Sequence, residues 1–232
     1  NLIELNLSSN DGITDYSPLK RFTNLKKLNL DRCNKYELTS LYDILNGLQY
    51  KKLRELILTN NSISDYAPLK RFWLLTKLNL KGNYPKSISP LSELKDLREL
   101  DLSDNYIENI FPLSKLTNLE VLKLSKNKIY NGKTIFMTQF RFSQNISKLT
   151  SLRELDLSYN DRVKSISFLK NLTKLEKLNL EGIYLNLLEI SPLSELKNLI
   201  ELNLIDTHIS DFSFLPKLKN LKSLHKDNSD DK

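Results

Sequence analysis

The imidazole and thiol groups in these 232 residues amount to His208, His225 and Cys33. The two histidines lie 17 residues apart with no H-E-x-x-H, and Cys33 brings no second soft ligand with it, so the chain holds no recognisable zinc ligand set. One cysteine cannot close an internal disulfide, so cysteine usage permits any redox compartment. Only 5 glycines are present, and neither G-x-G-x-x-G nor G-x-x-x-x-G-K-[ST] occurs, which leaves nothing to cradle a nucleotide phosphate. No nucleophile, base and acid can be assembled around either histidine. The expectation is a non-enzymatic chain with no catalytic residue, no metal site and no cofactor.

What such a chain can do depends on the elements that carry its polar side chains. Hydrophobic residues make up 40% and charged residues 27%, with a formal charge of +7. That is too apolar for a disordered tail, and no apolar run approaches the roughly 18 residues that cross a bilayer. The chain starts at Asn1 with no initiator Met and no signal-like segment. This start tilts the reading towards a secreted or cell-surface protein, with an intracellular one as the alternative.

The unit L-x-x-L-x-L-x-x-N recurs along the chain. It runs Leu2-Leu5-Leu7-Asn10, Leu25-Leu28-Leu30-Cys33, Leu53-Leu56-Leu58-Asn61 and Leu75-Leu78-Leu80-Asn83. It continues as Leu97-Leu100-Leu102-Asn105, Leu119-Leu122-Leu124-Asn127 and Leu152-Leu155-Leu157-Asn160. In two further copies, from Leu175 and Leu199, Ile183 and Thr207 replace the Asn, and a fragment begins at Leu221. In L-x-L the period of two sends both leucines to one side of a short strand and the intervening residue to the other. Stacked at ~4.8 Å per strand, about ten units predict a curved rod on the order of 45 Å long with a parallel sheet on its concave face. The Asn side chains turn inward to bond bare backbone groups, and Cys33 fills the same slot as a small buried hydrophobe.

The second half of each unit is regular too, as in Ile13-Thr-Asp-Tyr-Ser-Pro-Leu19, Ile63-Ser-Asp-Tyr-Ala-Pro-Leu69 and Ile209-Ser-Asp-Phe-Ser-Phe-Leu215. Pro18, Pro68, Pro90, Pro112 and Pro192 set φ at the start of one helical turn on the convex side. Tyr16, Tyr66 and Phe212 are read as core or near-core.

These 22-residue units with I-x-D-φ-x-P-L-x-x-L-x-N-L resemble bacterial internalin-type repeats and the repeats of the protein phosphatase one regulatory subunit. The resemblance covers residues 1–224 and implies an α/β leucine-rich-repeat solenoid, with short helical or 3-10 turns on its convex face. Both groups bind proteins, which implies a protein partner here without naming it. Residues 225–232 are read as a tail.

Unit starts step by 23, 28, 22, 22, 22, 33, 23, 24 and 22 residues, so the units at 25–52 and 119–151 are long. In the first, Leu38, Leu41, Leu45 and Leu48 at helical spacing predict a two- or three-turn helix ending near Gly47. In the second, Tyr130 to Ile146 collects Phe136, Met137, Phe140 and Phe142. A packed convex helix is the favoured reading there, and an exposed aromatic loop the alternative.

Outward strand positions form columns. The first reads Glu4, Lys27, Glu55, Lys77, Glu99, Val121, Glu154, Lys177, Glu201 and Ser223, a self-neutralising ladder whose signs alternate over its first five members. The second holds Asn6, Asn29, Ile57, Asn79, Asp101, Lys123, Asp156, Asn179, Asn203 and His225, acidic in the middle around Lys123. Asp101 and Asp156, two strands apart at roughly 10 Å, are too open for a tuned carboxylate pair. The excess basic charge falls on the turns, at Lys20-Arg21, Lys70-Arg71, Lys115 and Lys170 among others. That spread is a solvated face, not the basic stripe with stacking aromatics that nucleic acid requires, so no nucleic-acid partner is expected. Beyond the strands sit Tyr84, Tyr106, Tyr130, Tyr159 and Tyr184, with His208 near them, a plausible row of interface anchors. The expected function is protein recognition through the concave face, at Glu99, Asp101, Lys123, Glu154, Asp156 and Asn179, and through the edge at Tyr84, Tyr106, Tyr159 and Tyr184. A structural or assembly module packing through its ends, and a surface-adhesion or carbohydrate binder, are the alternatives.

Overall fold

The computed structural model describes residues 1–33, 40–46, 48, 51–129, 144–185 and 190–227. Tyr130 and the aromatic insertion up to residue 143, which includes Phe136 and Phe140, lie outside the described residues, as do Leu38 and Gly47.

The chain forms two compact units, Asn1–Asn105 and Tyr106–Lys232. The first carries strands β1 (Glu4–Asn6), β2 (Lys27–Asn29), β3 (Glu55–Ile57), β4 (Lys77–Asn79) and β5 (Glu99–Asp101), parallel and in sequence order. The second carries β6 (Val121–Lys123), β7 (Glu154–Asp156), β8 (Lys177–Asn179), β9 (Glu201–Asn203) and β10 (Ser223–His225) in the same arrangement. Each is a stack of leucine-rich repeats, the solenoid fold that the repeated leucines predict.

Each strand is three residues long and reads x-L-x. The register sets every repeat position against the same position of its neighbour, Leu56 beside Leu78 and Leu155 beside Leu178. The central leucine is buried in β2 to β9 and half-buried in β1 and β10, and the residues flanking it line the open face. One strand is too short to hold itself, so the stack of leucines beneath it supplies its stability.

The turns opposite the sheet are mostly 3-10 helical. In the first unit they are Ser17–Arg21, Ala67–Arg71 and Ser89–Glu93, and in the second Phe111–Lys115, Ser167–Asn171, Ser191–Glu195 and Leu215–Lys217. Proline opens all of these except Ser167–Asn171. The Asp of I-x-D starts the turn. The side chains of Asp15, Asp65 and Asp211 accept the backbone N–H two residues on, each at 2.8 Å. Asn109 does the same for Phe111 at 2.8 Å, so an amide serves as well as a carboxylate. Leu69 and Phe72 then point back into the core, as do Tyr16 and Tyr66. Phe212 is half-buried, and its neighbour Phe214 takes the core position.

The first long unit contains α1 (Leu41–Leu45), capped where the Ser40 hydroxyl accepts the Asp43 amide at 3.2 Å. The helix is one turn rather than two or three within the described residues; Leu41, Leu45 and Leu48 are buried as the spacing predicts, and Ile44 is buried with them.

The inward Asn residues join repeats. Asn83 donates to Leu58 O at 3.0 Å and Leu80 O at 2.8 Å, while its Oδ1 accepts from Asn61 N at 3.2 Å and Ile63 N at 2.9 Å. Asn61, Asn105, Asn127 and Asn160 repeat the inward pose and bond strand-end carbonyls. Asn10, in the first repeat, is exposed, and its side chain bonds Leu7 O and Ser8 O of its own turn. Cys33 is buried as expected, and its thiol donates to Leu7 O at 2.9 Å.

The residue before each inward side chain has a left-handed backbone. Ser9, Arg32, Asn60, Gly82, Asp104, Lys126, Tyr159, Gly182 and Asp206 all have φ between 52° and 68°. This twist turns the N–H towards the next repeat, so that Lys126 N meets Ser158 O and Tyr159 N meets Glu181 O, at 2.9 and 2.7 Å. The side chains before and after the inward residue are left at the edge of the sheet.

Candidate recognition surface

The first column pairs as its alternating signs predict. Lys27 meets Glu55 at 2.8 Å and Lys77 meets Glu99 at 2.7 Å in the first unit, and Lys177 meets Glu201 at 3.5 Å in the second. The hydrogen bonds that Lys27 and Lys77 donate to Glu55 and Glu99 hold these ammonium groups above the usual lysine range. Val121 breaks the ladder at β6, and Lys123 reaches across from the second column to Glu154 at 3.2 Å. That diagonal pair is not readable from either column alone.

The second column does different work. Asp101 Oδ1 accepts from Ser103 N at 2.9 Å and Asp156 Oδ1 from Ser158 N at 2.9 Å. Asn179 Oδ1 accepts from Glu181 N at 3.1 Å, and Asn6, Asn29, Asn79 and Asn203 make the same bond to the amide two residues on. One oxygen of each of these groups therefore shapes the exit from its own strand. Sequence reading took Asp101, Asp156 and Asn179 only as partner contacts. The available signal was the predominance of Asn and Asp in that column.

In the first unit, Glu99 and Asp101 share β5, and Tyr84 is exposed at the edge. In the second, Lys123, Glu154, Asp156 and Asn179 come together with Lys177, Glu201, Asn203 and His225 around an open concavity of about 260 Å³. Its floor includes Leu155 and Leu178, and its walls carry ammonium, carboxylate, carboxamide and imidazole side by side. Such a lining can meet a partner of mixed polarity. Among the described residues, no group of three or more His, Cys, Asp and Glu side chains is placed to hold a metal ion.

The edge tyrosines do not form one column. Tyr84, Tyr106 and Tyr184 follow the inward residue of their repeats, whereas Tyr159 precedes it. All four are exposed. In the second unit, each has a cation over its ring: Lys128 over Tyr106 at 4.7 Å, Lys126 over Tyr159 at 5.8 Å and Lys164 over Tyr184 at 5.8 Å. His208 adds a ring 4.2 Å from that of Tyr184. The Tyr159 hydroxyl donates to Glu181, and this bond raises the tyrosine pKa. These lysines escape a reading by strand columns because they stand in the turn, one on each side of inward-facing Asn127 and a third at the end of the following turn.

Leucine-rich-repeat models match residues 95–135 and 150–197. Among solved structures, the chain is similar to an internalin, inlF, from Listeria monocytogenes, with a TM-score of 0.72 and 29% identity over 98% of this chain and 68% of that one. It is also similar to internalin C2 from Listeria monocytogenes, with a TM-score of 0.62 and 27% identity over 97% of this chain and 80% of that one. A complex of TLR13 with ssRNA13 shares the fold, with a TM-score of 0.68 and 23% identity over 97% of this chain and 36% of that one. No curated protein matches in sequence.

Proposed function

This chain is a leucine-rich-repeat protein with internalin-like repeats, and on that footing we propose that it is a recognition scaffold that binds a protein partner through its outward sheet face and the adjoining tyrosine edge. Repeat arrays of this kind commonly serve as protein-interaction surfaces. The observation that carries the reading is the concavity of the second unit. There, Lys123, Glu154, Lys177, Glu201, Asn203 and His225 stand on three-residue strands held by the leucines below. A backbone already ordered by the stack need not be ordered again when a partner arrives, so the ordering cost is confined to the side chains. The concavity has no buried ionisable group to act as a tuned acid or base, which favours binding over catalysis.

The Lys123–Glu154 pair offers a clean test, because exchanging the two residues keeps the net charge and an ion pair. Partners captured from the source organism by the parent and by Lys123→Glu/Glu154→Lys would be compared by mass spectrometry. The expected result is loss of the parent's partner with an unchanged melting temperature. An exchanged variant that retains the same partner at the same yield would overturn the assignment of this face.

A further inference from the structure

Charge is sorted across the second unit. Lys115, Lys170 and Lys217 are exposed on the turns opposite the sheet, while the sheet face holds more acids than bases. Three carboxylates of that face have a cation each. Glu154 takes Lys123 at 3.2 Å and Glu201 takes Lys177 at 3.5 Å, and Asp227 adjoins Lys226, whose ammonium group lies over the Phe212 ring. His225 shares a hydrogen bond with Ser223 Oγ at 3.0 Å. Asp156 and Glu181 remain, and among the described residues both are bonded only by neutral donors. Asp156 accepts from Ser158 N at 2.9 Å, and Glu181 accepts from the Tyr159 hydroxyl and from Asn203 Nδ2. The flanking rows carry no excess of bases to cancel them. On one side Glu120 and Glu176 stand against Arg153 and Lys222, with Arg153 held by Glu176 at 2.6 Å, and on the other Lys126 stands against Asp206.

The two carboxylates flank an amide donor. Asp156 and Asn179 are paired in register on β7 and β8, and Glu181 follows Asn179 by two residues. Asn179 Oδ1 is taken by Glu181 N, which leaves Nδ2 without an acceptor among the described residues. Strand geometry sets the carboxylates roughly 8 Å apart on this diagonal, close to the ~7 Å between alternate side chains of an extended chain. We propose that the diagonal docks an extended basic polypeptide segment, whose cationic groups two residues apart pair with Asp156 and Glu181 while a main-chain carbonyl between them accepts from Asn179 Nδ2. The proposal rests on the protein-recognition reading above and names the chemistry of the partner. Charge complementarity carries it: an incoming cation meets two carboxylates that no cation of this unit is paired with, beside a concavity whose other charges are matched. Leu155 and Leu178 in the floor offer apolar surface to the aliphatic stem of Lys or Arg. An acidic segment would face Asp156 and Glu181, and it would reach Lys123 and Lys177 only by breaking their pairs with Glu154 and Glu201.

The test uses fluorescence anisotropy on the full chain with two labelled probes, a peptide of alternating Lys and Gly residues and one of alternating Glu and Gly. The basic peptide is expected to bind the parent more tightly than the acidic one, and Asp156→Asn/Glu181→Gln should weaken it by about tenfold. Both substitutions remove a charge and keep an acceptor oxygen. Glu195→Gln/Asp211→Asn makes the same change in net charge away from the sheet face and should bind like the parent. Circular dichroism confirms that both variants keep the parent's fold. Equal loss in the two variants would overturn the site, because net charge alone would then explain binding. Absence of basic-peptide binding, or tighter binding of the acidic peptide, would overturn it too. So would a parent that dimerises in sedimentation velocity while the Asp156→Asn/Glu181→Gln chain stays monomeric, since a second copy would then be the occupant. These failures differ from failure of the recognition reading itself, which shows as no difference in partner capture when Lys123 and Glu154 are exchanged.

Discussion

The ring of Tyr159 lies against the backbone of Gly182, so close that a Cβ added to the glycine would stand 2.8 Å from Tyr159 Cδ1. Gly182 also has φ of +68°, but that alone does not demand glycine, since Arg32, Lys126 and Asp206 hold similar angles at the same repeat position. The demand comes from the tyrosine one repeat earlier. Gly82 shows the same relation, with the Asn60 side chain in the place of the ring. Gly182→Ala should therefore cost about 1–2 kcal/mol from backbone strain and more from displacing the ring. In a Tyr159→Ala background, the same substitution should cost only the backbone part. A double-mutant cycle by thermal denaturation reads the difference, and additive effects would show that ring and glycine do not interact.

The inward Asn positions predict a contrast between buried and exposed copies of one motif. Asn83→Ala removes the hydrogen bonds to Leu58 O, Leu80 O and Lys81 O and those from Asn61 N and Ile63 N, and strands buried backbone groups. The cost should be roughly 3 kcal/mol or more. Asn10→Ala, at the exposed copy, should cost under about 1 kcal/mol. Denaturant midpoints for the two variants check this, and similar losses would mean that the ladder contributes little beyond local turn bonds.

The leucines, the inward Asn residues and the alternating ladder are legible in the sequence because each repeats a burial or charge pattern at a fixed period. The Asp of I-x-D and the Asn and Asp of the second column are less legible. Their bonds run from side chain to their own backbone two residues on, which leaves no hydrophobic period to read. For the same reason, Asp101, Asp156 and Asn179 read as binding residues when they also shape strand exits. The lysine–tyrosine pairs were hidden because Lys128 meets Tyr106, and Lys126 meets Tyr159, only once the repeats are stacked.

That double duty of the second column yields a prediction separating stability from binding. Asp156→Ala removes the acceptor for the Ser158 amide and should cost about 1 kcal/mol. Asp156→Asn keeps an oxygen there, as Asn179 and Asn203 do in the neighbouring repeats, and should be nearly neutral for stability while removing the charge. Equal melting temperatures for the Ala and Asn variants would show that the turn bond is dispensable.

The buried tyrosines predict a loss of stability at alkaline pH. Burial, with a smaller contribution from Cys33, pushes Tyr16 up to about 12 from an ordinary value of 10.0, and burial raises Tyr66 as well. Both hydroxyls donate, Tyr16 to Cys33 O at 3.3 Å and Tyr66 to Asn105 Oδ1 at 3.1 Å, and a phenolate could not. The folded chain therefore holds the phenols neutral, while the unfolded chain ionises them near pH 10. The stability they confer is complete below about pH 10 and is lost as pH rises from there, through about 12 for Tyr16 and beyond that for the more deeply buried Tyr66. Each group contributes up to about 1.4 kcal/mol per pH unit in that window. Tyr16→Phe/Tyr66→Phe should begin less stable at neutral pH, having lost two hydrogen bonds, and should then lose less between about pH 10 and 11.5 than the parent. Guanidinium unfolding across that range measures both slopes, and parallel slopes would show that neither tyrosine governs the alkaline transition.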